Sequence, residues 1–303
     1  MDHLTAIRFA GRCFSPEDVA LMCQAARDYA SLGITEIART ICEWLDWQRP
    51  NGRLKNHECR LLLERLRDQG ILKLPALHPS GRRGARTVTM TDQSDARPLI
   101  ETTVADLHPL HVLLVESADS ALFRQFIQRY HYLGYRTPTG ANLRYFVQSA
   151  TSQLLACLQW SSPAWTMAAR DQWIGWNAQQ RAQNLQYIVN NSRFLILPWV
   201  RVRGLASSIL ARAANQIVQD WPQHYGYKPL LLETLVDGTR FRGTCYRAAN
   251  WICVGETSGR GRMDRYHRTG IVKKTIFLFP LCRNFQHALC TSDPPPVPIA
   301  DPQ

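Results

Sequence analysis

The segment Ser192–Trp221, SRFLILPWVRVRGLASSILARAANQIVQDW, constrains the fold more than any other, because it writes a strand, a turn and a helix in direct succession. Arg193 to Leu197 is a short apolar run closed by Pro198, whose missing N–H and fixed φ end a hydrogen-bonded ladder. From Leu205 the polar residues Ser208, Arg212, Asn215 and Gln219 recur at steps of four, three and four, opposite Leu205, Ile209, Ala213, Ile217 and Trp221. That spacing predicts an amphipathic helix with one wide buried stripe. Between the two lies a basic loop, Arg201 to Ala206, in which one glycine and one small residue let backbone N–H groups approach an anion at the positive end of the helix dipole. Phosphate is the natural guest. The candidate phosphate or cofactor residues are therefore Arg201, Arg203, Gly204, Leu205, Ala206, Ser207 and Ser208.

This loop resembles the pyrophosphate-binding loop of the Gcn5-related acetyltransferases, Arg/Gln-x-x-Gly-x-Gly/Ala, at Arg201, Gly204 and Ala206. Downstream, Pro229 to Val236 reads as the next strand and Phe241 to Trp251 as the next helix. The latter ends Tyr246-Arg-Ala-Ala-Asn250-Trp251, similar to the Tyr-x-x-x-Gly-Phe with which that fold leaves its last helix. Asn in place of Gly is compatible with a left-handed helix exit. The resemblance implies a coenzyme A derivative as cofactor, with its pyrophosphate on the loop and Tyr246 protonating the leaving thiolate. Glu233, on the strand after the long helix, is the candidate general base, a role that requires burial to raise its pKa.

The chain carries 36 Lys and Arg against 24 Asp and Glu, a net charge of +12, so an anionic polymer is the expected partner. Nine cysteines occur without a Cys-x-x-Cys pair and predict buried free thiols, with no metal site assigned. No run of 18 apolar residues occurs and the first twelve residues lack the apolar centre of a signal peptide, so a cytoplasmic protein without membrane contact is expected.

The N-terminal residues 1–90 carry three helix patterns: one from Ser15-Pro16-Glu17-Asp18 to about Ala30, one from Thr35 to near Trp47, and one with Asn56 as its cap. A loop GRRGAR at Gly81 to Arg86 precedes the alternating TVTM. Three helices and a basic-tipped hairpin make the plan of a winged helix-turn-helix, with Arg53, Lys55, Asn56, His57 and Arg60 toward a major groove and Arg82, Arg83 and Arg86 on the wing. Duplex DNA is the expected ligand. Residues 91–110 read as a linker, 111–290 as an α+β domain with an acetyltransferase-like mixed sheet flanked by helices, and 291–303 as a disordered proline-rich tail.

Over about residues 8 to 285, several blocks resemble the DruA family of the Druantia anti-phage defence system: YHYLGY, NNSRFLILPWVRV with LASSIL, and YRAANWICVGETSGRGR. The resemblance implies phage defence or mobile-element biology, with other defence proteins as partners, and carries no catalytic residues. Two further readings stay open beside acyl transfer. In one, strand nicking or transfer, Glu233, Asp237 and Glu256 hold Mg²⁺, His131 or Tyr132 serves as base or nucleophile, and the segments Tyr130 to Arg136 and Arg260 to Arg268, with Arg260 and Arg262, touch a single strand. In the other, the protein recognises DNA and recruits partners without catalysis.

Overall fold

The computed structural model describes residues 6–30, 33–50, 53–75, 88–138, 140–258 and 272–291. These fall into two compact units, one with the residues up to Pro75 and Pro222–Tyr227, the other with Val88 to Trp221 and the residues from Lys228 onward.

The first unit opens with a hairpin that sequence patterning missed, β1 (Ile7–Phe9) paired antiparallel with β2 (Arg12–Phe14). Its turn residues Ala10 and Gly11 both take left-handed φ, 49° and 79°, as a two-residue hairpin loop demands. Three helices follow: α1 (Pro16–Asp28), α2 (Ile34–Trp44) and α3 (Asn56–Asp68). Ser15 and Asp18 form the capping box of α1, with Ser15 Oγ accepting from Asp18 N at 3.2 Å and Asp18 Oδ2 accepting from Ser15 N at 3.0 Å. Asn56 is the first helical residue of α3 rather than its cap, which is Lys55. Phe14, Met22, Ile37, Ile41, Leu62, Leu63 and Leu66 close a single core between hairpin and helices. The expected wing at Gly81 to Arg86 lies outside the described residues, as do Arg260, Arg262 and the tail from Ser292.

The second unit begins earlier than the linker reading allowed. Thr91 N donates to Gln125 Oε1 at 2.7 Å, and Ile100 N donates to the Trp199 carbonyl at 2.8 Å, so the polar stretch is pinned onto the sheet domain. Its elements are α4 (Val104–Leu107), β3 (His111–Leu114), α5 (Ser120–Tyr130), β4 (Asn142–Gln148), β5 (Leu154–Ser161), α6 (Ala168–Ile174), α7 (Ala178–Asn184), β6 (Ile188–Ile196), α8 (Leu205–Tyr225), β7 (Leu231–Asp237), α9 (Thr244–Ala248), β8 (Ile252–Glu256), β9 (Lys274–Pro280) and α10 (Phe285–Cys290). Arg170 to Tyr187, helical in composition throughout, does not form one helix but is divided between α6 and α7. Gly175 ends α6 in the left-handed conformation, and Asn177 starts α7 by accepting from Gln180 N at 2.9 Å.

The strands form one mixed sheet in the order β3-β4-β5-β6-β7-β9-β8. Every neighbouring pair is antiparallel except β6 and β7, which run parallel and pair only at Ile188–Leu231, Val189–Leu232 and Asn190–Glu233. Beyond those three pairs both strands continue, β6 to Ile196 and β7 to Asp237, but no longer as ladder partners. The sheet therefore forks in its middle. The predicted stripe of α8 is buried at Leu205, Ile209, Ala213, Ile217 and Trp221, as its spacing required.

Candidate functional site: a forked sheet and the helix that follows it

The fork has a polar floor built from residues on both strands. Asn191 and Thr234 directly follow the last paired residues, and Tyr246 reaches them from α9. The Tyr246 hydroxyl donates to Asn191 Oδ1 at 2.8 Å, and Thr234 Oγ1 donates to the Asn191 carbonyl at 3.1 Å. The Tyr246 ring is stacked on Phe277, with centroids 5.8 Å apart, and meets Trp251 edge-on at 5.1 Å. Burial pushes its hydroxyl pKa up, so it is a proton donor at neutral pH.

On the other side, β6 carries an extra residue. Gln159 of β5 faces Arg193 and Trp160 faces Asn191, which leaves Ser192 as the bulge. Ser192 Oγ and Asn191 Nδ2 both donate to the Gln159 carbonyl, at 3.2 and 3.4 Å, and Asn191 Nδ2 also donates to the Arg193 carbonyl at 3.2 Å. The Asn191 carbonyl at the fork and the Gln159 and Arg193 carbonyls at the bulge are thus taken by side chains, as buried carbonyls require.

Glu233 is fully buried and faces Arg170, also fully buried, with Arg170 Nη1 to Glu233 Oε2 at 2.9 Å. Ala164 N donates to the other carboxylate oxygen at 3.3 Å. Arg170 also pairs with Asp171, which Arg181 holds from its far side at 3.3 Å. Burial raises the Glu233 carboxyl pKa, and the Arg170 guanidinium offsets only part of that rise. A carboxylate enclosed this way ties β7 to α6 and is not presented to a ligand. Sequence reasoning did not find Arg170, which lies 63 residues from its partner on a helix of ordinary composition.

At the end of β6 the chain turns through the basic loop. Gly204 takes a φ of +80°, a conformation that L side chains rarely adopt, and Ser207 Oγ donates to its carbonyl at 2.9 Å. Arg201 and Arg203 are exposed, while Leu205 is buried. Gly204, Ser207, Ser208, Ala211 and Asn215 form one wall of a cleft of about 400 Å³, and Ala248 to Trp251 and Phe279 form the other. The left-handed φ of Asn250, 63°, turns the chain out of α9, as its place in the Tyr-x-x-x-Asn-Trp pattern predicts. Trp251 is buried and its indole N–H has no partner among the described residues. Because Trp251 packs on Tyr246, the cleft and the fork share one wall.

Asp237 and His131 sit at the open end of the fork. Asp237 accepts from Thr239 Oγ1 at 2.6 Å, which holds its carboxyl below the usual range. His131 is neutral at pH 7, its pKa brought down to about 4 by burial and by Arg193. Glu256 is exposed on β8 and Glu233 is paired with Arg170, and among the described residues no group of three His, Cys, Asp or Glu could hold a metal ion. The Mg²⁺ reading finds no site there. In the first unit, Arg53 and His57 are exposed, Arg60 is tied to Glu64 at 3.0 Å, and Lys55 is half-buried, with burial lowering its pKa.

The sequence profile described as "Druantia protein DruA" matches residues 69–269, two thirds of the chain, including β6, α8, β7 and α9. The chain belongs to the DruA family. No curated protein matches it significantly. Among solved structures, it is similar to a spermidine N-acetyltransferase from Vibrio cholerae in complex with CoA and spermine, at 10% identity and a TM-score of 0.38, covering 56% of this chain and 95% of that one. The spermidine/spermine N-acetyltransferase from Vibrio cholerae in complex with manganese ions gives 12% identity and a TM-score of 0.36, over 56% and 92% of the two chains. Likeness at this level carries no inference about chemistry. No helix among the described residues is long and apolar enough to cross a membrane.

Proposed function

We propose that this chain serves anti-phage defence as a DNA-associated protein whose second unit holds a phosphate-bearing small molecule, a coenzyme A derivative, at the N-terminus of α8. Membership of the DruA family supports the defence role. The observation that carries the ligand reading is the fork: β6 and β7 pair over three residues and diverge, and the loop leaving β6 enters α8 through a left-handed glycine. The first N–H groups of an α-helix have no partner within it, and with the exposed Arg201 and Arg203 they supply donors for a pyrophosphate. Ser207 and Ser208 line the same cleft, and Trp251 offers it a flat apolar wall. The diverging strand edges suit an extended amide-bearing arm, whose N–H and C=O groups take up backbone positions the ladder has given up.

If a thioester occupied the fork, the Tyr246 hydroxyl is the protonated donor at its floor, able to stabilise a departing thiolate by giving up its bond to Asn191. Glu233 does not serve as base in this arrangement, because its charge is spent on Arg170. That one feature favours a second reading, in which the ligand is bound as a signal or structural cofactor and nothing is transferred. The basic first unit, with Arg53 and His57 exposed, supports contact with duplex DNA.

Calorimetric titration of the full chain with coenzyme A, acetyl-coenzyme A, ADP and a DNA duplex tests this. Binding of the coenzyme A compounds that disappears in an Arg201→Ala, Arg203→Ala variant is expected; absence of binding to the unaltered chain overturns the ligand reading. Conversion of acetyl-coenzyme A to free thiol in the presence of candidate amines separates transfer from binding alone.

A further inference from the structure

At the open end of the fork, three distant segments of the second unit place arginine beside exposed aromatic rings. Tyr132, on the loop after α5, is 36% exposed, and Phe241, on the turn after β7, is 51% exposed. Their ring centroids lie 5.4 Å apart. The Arg240 guanidinium lies over the Tyr132 ring at 5.2 Å, and its ion pair with Asp237 is long, 3.9 Å. Arg193 of β6 holds the loop by donating from Nε to the Gly134 carbonyl at 3.1 Å, while its Nη1 donates to the Ser192 carbonyl at 2.6 Å. Arg136 and Arg242 are exposed on the same two segments.

We infer that this patch, Tyr132, Phe241, Arg240 and Arg193, is a binding surface for single-stranded nucleic acid, with bases stacked on the two rings and phosphates met by the guanidinium groups. Each component suits that ligand. Exposed aromatic rings are costly to leave in water and give every base a face to stack on, whatever the sequence. Arginine adds charge and planar stacking together. Asp237 adds a carboxylate whose Oδ1 is held by Thr239, and four arginines, Arg136, Arg193, Arg240 and Arg242, outnumber it among the described residues of the patch, so the surface is net positive. A duplex, whose bases are already stacked on each other, cannot use the rings. The inference does not depend on the α8 cleft, since Tyr132, Arg193, Arg240 and Phe241 are not among its lining residues.

The test is fluorescence anisotropy of a labelled 15-nucleotide oligothymidylate with the full chain, run beside the same titration with a duplex. Tyr132→Ala and Phe241→Ala should each weaken single-strand binding about tenfold or more and leave duplex binding unchanged. Tyr132→Phe, which keeps the ring, should stay within about twofold of the unaltered protein. Arg240→Gln should reduce the salt slope of single-strand binding by about 0.7, the value for one phosphate no longer neutralised. Photocrosslinking of an oligonucleotide carrying 5-iodouracil to the unaltered protein gives a readout independent of variant folding, with adducts expected in the peptides containing Tyr132 or Phe241. Adducts only elsewhere, alanine variants within twofold of the original, or equal losses for single strand and duplex overturn the assignment. Failure of coenzyme A to bind would bear only on the cleft.

Discussion

Replacing Arg170 with methionine removes the cation from the most completely buried ion pair among the described residues. Both side chains are fully excluded from solvent, 2.9 Å apart, and Arg170 also donates to the Ala164 carbonyl at 2.8 Å. Methionine fills much of the volume but leaves Glu233 as an unpaired buried carboxyl and strips Ala164 of a donor. Breaking a buried pair from one side costs about 3–5 kcal/mol. For a unit of this size that is a fall in Tm of roughly 6–20 °C. The pH dependence is the more telling readout. With no guanidinium to pull it back, burial holds the variant's Glu233 pKa well above that of the unfolded chain. A raised carboxyl contributes stability that is full below the unfolded pKa of about 4.3 and is lost as pH rises through the folded value. The deficit of Arg170→Met relative to the unaltered protein should therefore grow from pH 5 to pH 8 in urea denaturation followed by circular dichroism. Adding Glu233→Gln should recover part of the loss and flatten the pH profile. A deficit independent of pH, or a double variant no better than the single one, would refute the view that Glu233 is a structural anion neutralised by Arg170.

Gly204→Val should cost roughly 1–3 kcal/mol from its left-handed φ and abolish coenzyme A binding, measured by calorimetry on a variant shown to be folded; retained binding would make the loop a mere connector. Tyr246→Phe keeps the stack on Phe277 but leaves Asn191 Oδ1 without its donor, so a loss of about 1–3 kcal/mol in urea denaturation is expected, together with loss of any thioester turnover. Neutralising Arg82, Arg83 and Arg86 should weaken duplex binding alike for all sequences and lower its salt slope by about 0.9 for each phosphate that no longer meets a cation, and an unchanged slope would remove these residues from the DNA surface.

The strand, basic loop and helix were legible because Pro198 and the spacing from Leu205 to Trp221 each leave one choice: a ladder cannot pass the proline, and the polar residues on α8 fall on one face. Asn250 was legible for a similar reason, since a left-handed helix exit takes Gly or Asn. Patterning failed where tertiary contacts decide. The N-terminal hairpin turns at Ala10, a residue with no left-handed preference to announce it. The break between α6 and α7 carried a readable signal, Gly175 followed by the Asn177-x-x-Gln180 capping box, which helix-rich composition obscured. The pairing of Arg170 with Glu233 has no local trace, because neither helix nor strand needs the other's charge to form.

The Asn190-Asn191-Ser192 segment is the most instructive failure, because its polarity is what the fork demands. Read along the chain, three consecutive polar residues mark a lead-in to the apolar strand; in the structure they lie within β6, well before its end at Ile196. The pair separates after Asn190 and Glu233 and β6 bulges at Ser192, and an apolar residue at position 191 would have nothing to offer the buried carbonyls around it. Asn191 instead serves the Gln159 and Arg193 carbonyls from its amide while its oxygen takes the Tyr246 hydroxyl, and Thr234 supplies the Asn191 carbonyl from across the gap. The divergence is thus specified by side chains on both strands and on α9, rather than being the frayed end of a ladder. This divergence, held by its own hydrogen bonds and with a basic helix entrance beside it, supports the binding proposal more than the loop alone does.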